Sequence, residues 1–162
     1  MDNNFKLNVH DCMVDNAVGC GGLIKDSNGK LVLAFAGPII NGNVEYAMCM
    51  TILYGLQLCI PLNVTTLIIE VNSGVNISYL QFMEDRCCNL SIFYIVWDIK
   101  KLLIFMNSSF TVIAKAANAA AIWLANFGCN LDGFTDFGGS SMPFPLTGLL
   151  HLDQLGIPYV SR

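Results

Sequence analysis

The chain has 162 residues, enough for one domain of ordinary size with a buried core. Hydrophobic residues make up 54% and charged residues 12%, about half the usual ~25%, which excludes a disordered chain. Eight Lys and Arg against twelve Asp and Glu give a net charge of −4, so composition shows no basic footprint for gripping a phosphate backbone.

The mean hydropathy of +0.56 raises the question of a membrane. A spanning helix needs about 20 apolar residues in a row. The best uncharged runs stop early: Leu90 to Trp97 meets Asp98, then Lys100 and Lys101, and Leu31 to Phe35 runs into Gly37-Pro38. No transmembrane helix is expected. Met1 to Lys6 lacks the apolar stretch of a signal peptide, so the expected location is intracellular, nucleus or cytoplasm, without secretion. Cysteines stand at 12, 20, 49, 59, 87, 88 and 129, an odd number without a Cys-x-x-Cys pair. Buried thiols fit this pattern better than a disulfide framework or a zinc site. Four Asn-x-Ser/Thr sequons, at Asn63, Asn76, Asn89 and Asn107, read as chance matches in a chain with no secretory signal.

Phe5 to His10 alternates apolar and polar residues, the pattern of a half-buried strand. A second strand opens at Gly19-Cys20-Gly21-Gly22, and Asp26-Ser27-Asn28-Gly29 signals a hairpin turn into a third, Leu31 to Ile40. Glu45 to Cys59 has helical periodicity and ends before Pro61. Thr65 to Val71 is β-branched and nearly all apolar, as in a parallel strand buried on both faces. Ser73 to Phe82 predicts a short helix. Asn89 to Met106 predicts another, capped by Asn89 or Ser91. Phe110 to Ala114 reads as a strand, and Ala116 to Phe127 as an Ala-rich helix stopped by Gly128. From Asn130 to Pro145, Gly, Pro, Ser and Phe give an extended tail, with a last helical turn or two in Leu146 to Leu155. The order is β-β-β-α-β-α-α-β-α, which implies an α/β fold with a mixed five-stranded sheet and helices on its faces. One domain is expected over 1–130, with 131–162 a tail that packs on or extends it. Trp97 and Trp123 sit at helical spacing among apolar residues and are expected in the core. Lys100-Lys101 is the one adjacent basic pair and reads as an exposed helix face.

Several dispersed motifs stand in order: Lys6-Leu7-Asn8 two residues ahead of position 10, Val18 to Gly29, Ala47 to Cys59 with Gly55-Leu56-Gln57-Leu58, Ile69-Glu70-Val71-Asn72-Ser73, Asn118 to Ala125, and the closing Leu149 to Arg162. Together they resemble the plant ribonuclease H-like domain related to the RNase H module of retroelement reverse transcriptases. The resemblance covers nearly the whole chain and implies a ribonuclease H fold of retrotransposon origin. Its active members are similar to hydrolases that cut the RNA strand of an RNA–DNA hybrid with two Mg²⁺ ions held by four carboxylates.

Carried over position by position, the first Asp falls on His10, the Glu on Met48, the second Asp on Asn72 and the last Asp on Ile122. None is a carboxylate. Met and Ile cannot ligate Mg²⁺, Asn72 offers a carbonyl without charge, and His10 suits softer metals. The family's His before the last helix falls on Val112, and its Arg-Glu pair becomes Lys115-Ala116. The expectation is a pseudoenzyme that folds without cutting, holds no Mg²⁺ cofactor, and serves as a binding module for nucleic acid or protein. Lys115 and Asn118 are its candidate nucleic-acid contacts. Two alternatives stand beside this one. A metal site rebuilt from Asp11, Glu45 and Glu70 would keep a metal-dependent hybrid endoribonuclease. A degenerate fragment would have no function. Glu45 lies one helical turn before Met48, and Glu70 shares a strand face with Asn72, whereas Asp11 points to the face opposite His10.

Overall fold

The computed structural model describes residues 3–40, 44–72, 90–138 and 142–156. β1 (Asn4–Val14), β2 (Ala17–Asp26) and β3 (Leu31–Ile39) form an antiparallel meander. Asp15 and Asn16 close the first hairpin at φ 48° and 67°, the left-handed values that a tight two-residue turn needs and that Asp and Asn tolerate. At the second turn the Asp26 carboxylate accepts from the backbone N–H of Asn28 and Lys30, both at 2.9 Å, and Gly29 supplies φ 76°.

α1 (Val44–Cys59) leads through a short turn, Ile60–Leu62, into β4 (Thr66–Val71), which lies parallel to β1. α2 (Leu90–Leu103) returns the chain to β5 (Asn107–Val112), parallel to β4. One 3₁₀ turn, Lys115–Asn118, feeds α3 (Ala119–Gly128). β6 (Thr135–Phe137) and α4 (Phe144–Gln154) follow. The sheet order is β5-β4-β1-β2-β3-β6. The helix expected over Ser73 to Phe82 and the Asn89 cap lie outside the described residues.

The sheet has six strands where five were expected. β6 lies in the stretch read as an extended tail. Its three residues are too few for a periodic signal, and it forms because β3 offers an open edge at Ala34, Phe35 and Ala36. Phe134 anchors the approach, with its ring 4.5 Å from Tyr54 and 5.8 Å from Phe35 between centroids.

Strand alternation divides the core. Leu7, Val9, Ile24, Phe35, Leu67, Ile69 and Val71 face α1 and α2 and pack with Ile52, Leu56, Ile95 and Ile99. Leu23, Ala34 and Ala36 face α3 and pack with Ala121 and Leu124. Val44 to Leu62 is long and apolar enough to cross a membrane. Its buried residues, Ala47, Met48, Cys49, Thr51, Ile52, Leu53, Gly55, Leu56 and Cys59, instead make it a core helix of this fold. Trp97 departs from expectation: it is 53% exposed, because α2 buries the stripe Ile92, Ile95, Val96 and Ile99 and turns Phe93, Tyr94 and Trp97 outward. Trp123 is half-buried and stacks on Phe127 at 5.0 Å.

The glycine cluster of β2 sets the height of α3. A Cβ at Gly21 would lie 2.4 Å from the Ala125 nitrogen, and one at Gly19 would lie 2.3 Å from the Ala125 oxygen. The helix backbone therefore rests directly on the strand. That close seat brings Asn118, just ahead of α3, down onto β1.

Candidate active site: a buried polar relay

Alternation along β1 puts Asn8, His10 and Cys12 on the α3 face, opposite Leu7, Val9 and Asp11. Glu70 on β4 and Asn72, just past its end, share that face. The parallel register pairs Asn8 with Glu70, so His10 and Asn72, two residues further along each strand, meet at the same level. Asn118 closes the group from above.

The hydrogen bonds form one continuous chain. Asn118 Nδ2 donates to the Val9 carbonyl at 3.0 Å and to Asn72 Oδ1 at 2.7 Å. Asn8 Nδ2 donates to Asn118 Oδ1 at 3.1 Å and to Glu70 Oε2 at 2.8 Å. Glu70 Oε1 meets the Lys6 ammonium at 3.0 Å. His10 Nδ1 lies 2.8 Å from Asn72 Oδ1. One peptide carbonyl fixes every direction. Val9 O can only accept, so the Asn118 nitrogen must face it, and the second proton on that nitrogen goes to Asn72 Oδ1. That oxygen is then an acceptor, so His10 must carry its proton on Nδ1.

Asn8, Asn72, Asn118 and Glu70 are all buried, with Asn8 and Asn118 1% exposed. Such groups are tolerated in a core only when their bonds are made. Asn8 Oδ1 is the one buried side-chain oxygen without a partner among the described residues. Burial lowers the His10 pKa, as does the Lys115 charge, against a raising effect from the Asn72 bond; burial dominates and favours the neutral ring. Asp11, on the opposite face, is pushed up by burial to about 6.

The residues singled out from sequence separate into two groups. His10, Asn72, Glu70 and Asn118 converge. Met48 is 3% exposed within the apolar cluster under α1. Ile122 lines a cleft between α3 and α4 with Trp123, Leu149 and Leu152. Glu45 is exposed in the first turn of α1, where its charge suits the helix dipole. Asp11, Glu45 and Glu70 do not come together, and among the described residues no three His, Cys, Asp or Glu side chains group as a metal site. Glu70 is buried and held by Lys6 and Asn8. Lys115 is exposed, whereas Asn118 spends both amide protons inside the protein. Lys6 and Asn8 were not singled out as site residues; their signal was the polar phase of an alternating strand.

The residues present do not fit a pair of Mg²⁺ ions. Asn72 Oδ1, the best-placed oxygen, already accepts from two donors, and two of the four positions that the resemblance assigns to carboxylates carry hydrocarbon or thioether side chains.

A mixed sheet with a parallel β4-β1 centre, α1 and α2 on one face and α3 on the other defines an RNase H-like fold. Solved structures bear this out. RNase H1 from Halobacterium salinarum superposes with a TM-score of 0.69 at 16% identity, covering 77% of this chain and 96% of that one. The N-terminal RNase H domain of a Mycobacterium tuberculosis protein gives 0.71 at 13% identity, covering 78% and 94%. LC11-RNase H1, solved in complex with an RNA/DNA hybrid, gives 0.68 at 15% identity, covering 78% and 96%. No curated protein sequence matches the chain. The family model described as Reverse transcriptase-like matches residues 8–128, and the chain belongs to that family.

Proposed function

We propose that this protein is a non-cleaving RNase H-like domain that serves as a binding module. The observation that carries the reading is the relay itself. Where the resemblance places carboxylates, His10 bonds to Asn72, Asn72 also accepts from Asn118, and Met48 is buried in hydrocarbon. The amide protons of Asn8 and Asn118 are spent within the site, and Glu70 is committed to Lys6 and Asn8.

The ligand class we propose is an RNA–DNA hybrid, held weakly and without metal. LC11-RNase H1, of the same fold, is solved with such a hybrid. Weak binding follows from charge. Lys6 is paired to Glu70 and Lys25 to Asp153, which among the described residues leaves Lys115 as the exposed cation beside the relay. Each phosphate contact adds to affinity and to its salt dependence. Fluorescence anisotropy with a labelled hybrid tests this. Binding that weakens with salt, drops on Lys115→Ala and is unchanged by a chelator is expected. Tight binding that requires Mg²⁺ would refute it.

A further inference from the structure

Outside the relay, one pair of side chains among the described residues is placed for chemistry. Cys12 Sγ on β1 and Cys129 Sγ, just past the end of α3, lie 3.2 Å apart and are both half-buried. They stand 117 residues apart in sequence. The strand register explains the meeting. Cys12 is paired across the hairpin with Gly19, and a Cβ there would lie 2.6 Å from both the Cys129 nitrogen and its sulfur. The absent side chain of Gly19 is the space in which Cys129 sits.

We propose that Cys12 and Cys129 form a reversible disulfide that pins the C-terminal end of α3 to the first strand. The oxidant class is a low-molecular-weight disulfide. Cys129 loses its proton and attacks one sulfur of that molecule, releasing one thiolate. Cys12 then gives up its proton and attacks Cys129 Sγ, which expels the second. Two protein thiols lose two protons and two electrons, and the oxidant becomes two thiols. The reverse order of attack balances in the same way; burial, with the neighbouring sulfur, holds the Cys12 thiol up. Cys20 and Cys59 are fully buried, out of reach of a dissolved disulfide, so they stand apart from this exchange.

The test uses the full chain and oxidised glutathione, followed by peptide mapping under non-reducing conditions. The expected product is a Cys12–Cys129 cross-linked peptide, lighter by two hydrogens, formed in the folded protein and removed by dithiothreitol. The thermal midpoint should rise by roughly 5–15 °C, since the bond closes a long loop in the unfolded chain. Cys12→Ser and Cys129→Ser should lose both effects, and Cys20→Ser should keep them. Three outcomes would overturn the proposal: a persistent glutathione adduct on Cys129, cross-links between other pairs, or the expected cross-link without a change in midpoint. The mapping needs no variant, so a misfolded substitution does not blunt the test.

Discussion

Replacing Asn118 with Leu keeps the volume of the side chain and removes its chemistry. The amide donates to Val9 O and Asn72 Oδ1 and accepts from Asn8 Nδ2, all inside the protein. Three bonds at about 0.5–1.5 kcal/mol each, with buried partners left wanting, give a loss of about 2–4 kcal/mol. That is a large share of a domain stability of about 5–15 kcal/mol. For a chain of this size the thermal midpoint should fall by roughly 5–15 °C. Urea unfolding measures it as a lower midpoint at unchanged slope. A loss below about 0.5 kcal/mol would show that the relay contributes no net stability and would refute the reasoning.

The remaining predictions concern pH and packing. Asp11→Asn should stabilise the protein above pH 6 and lose that advantage as pH falls from about 6 to 3.8, because the folded carboxyl takes up its proton before the unfolded one does. The gain at neutral pH is at most about 3 kcal/mol, from about two pKa units, and denaturant curves at several pH values check it. His10 works in the opposite direction. Its folded pKa lies below the ordinary 6.5, so the unfolded chain binds the proton first and stability falls as pH drops below about 6.5. Nitrogen NMR at pH 7 should show a neutral ring with the proton on Nδ1, and Asn72→Asp should raise the His10 pKa by placing a negative charge at its partner. Gly21→Ala should destabilise by several kcal/mol, read by the same unfolding assay, because the new Cβ would meet the backbone of α3 at Leu124 and Ala125.

Much of this architecture is legible in residue order. Alternation in Phe5 to His10, the Asp26–Gly29 turn, the helical spacing of Glu45 to Cys59 and the β-branched run at Thr65 to Val71 each name their element, because each buries a face by its own period. β6 was hidden because a three-residue edge strand is decided by its neighbour rather than by its own sequence. Trp97 misled for a related reason: α2 has two apolar faces, and spacing alone does not say which one the sheet takes. Of positions 10, 48, 72 and 122, which the resemblance singles out, the structure brings His10 and Asn72 together and leaves Met48 and Ile122 elsewhere. Glu70 and Asn72 sharing a face, with Asp11 opposed to His10, followed from strand periodicity. The relay was not readable. It depends on the parallel register of β1 with β4 and on α3 resting against Gly19 and Gly21, contacts between segments about 60 and 110 residues apart.

The most direct test of the central claim is cleavage of an end-labelled RNA–DNA hybrid, in Mg²⁺ and in Mn²⁺. The native chain runs beside a variant carrying His10→Asp, Met48→Glu, Asn72→Asp and Ile122→Asp. The account predicts an intact RNA strand with the native protein in either metal, and metal-dependent cutting, where the variant folds, only with the restored acids. Cutting by the native chain that is abolished by Glu70→Ala would contradict it, because the remaining acids would then form a working site.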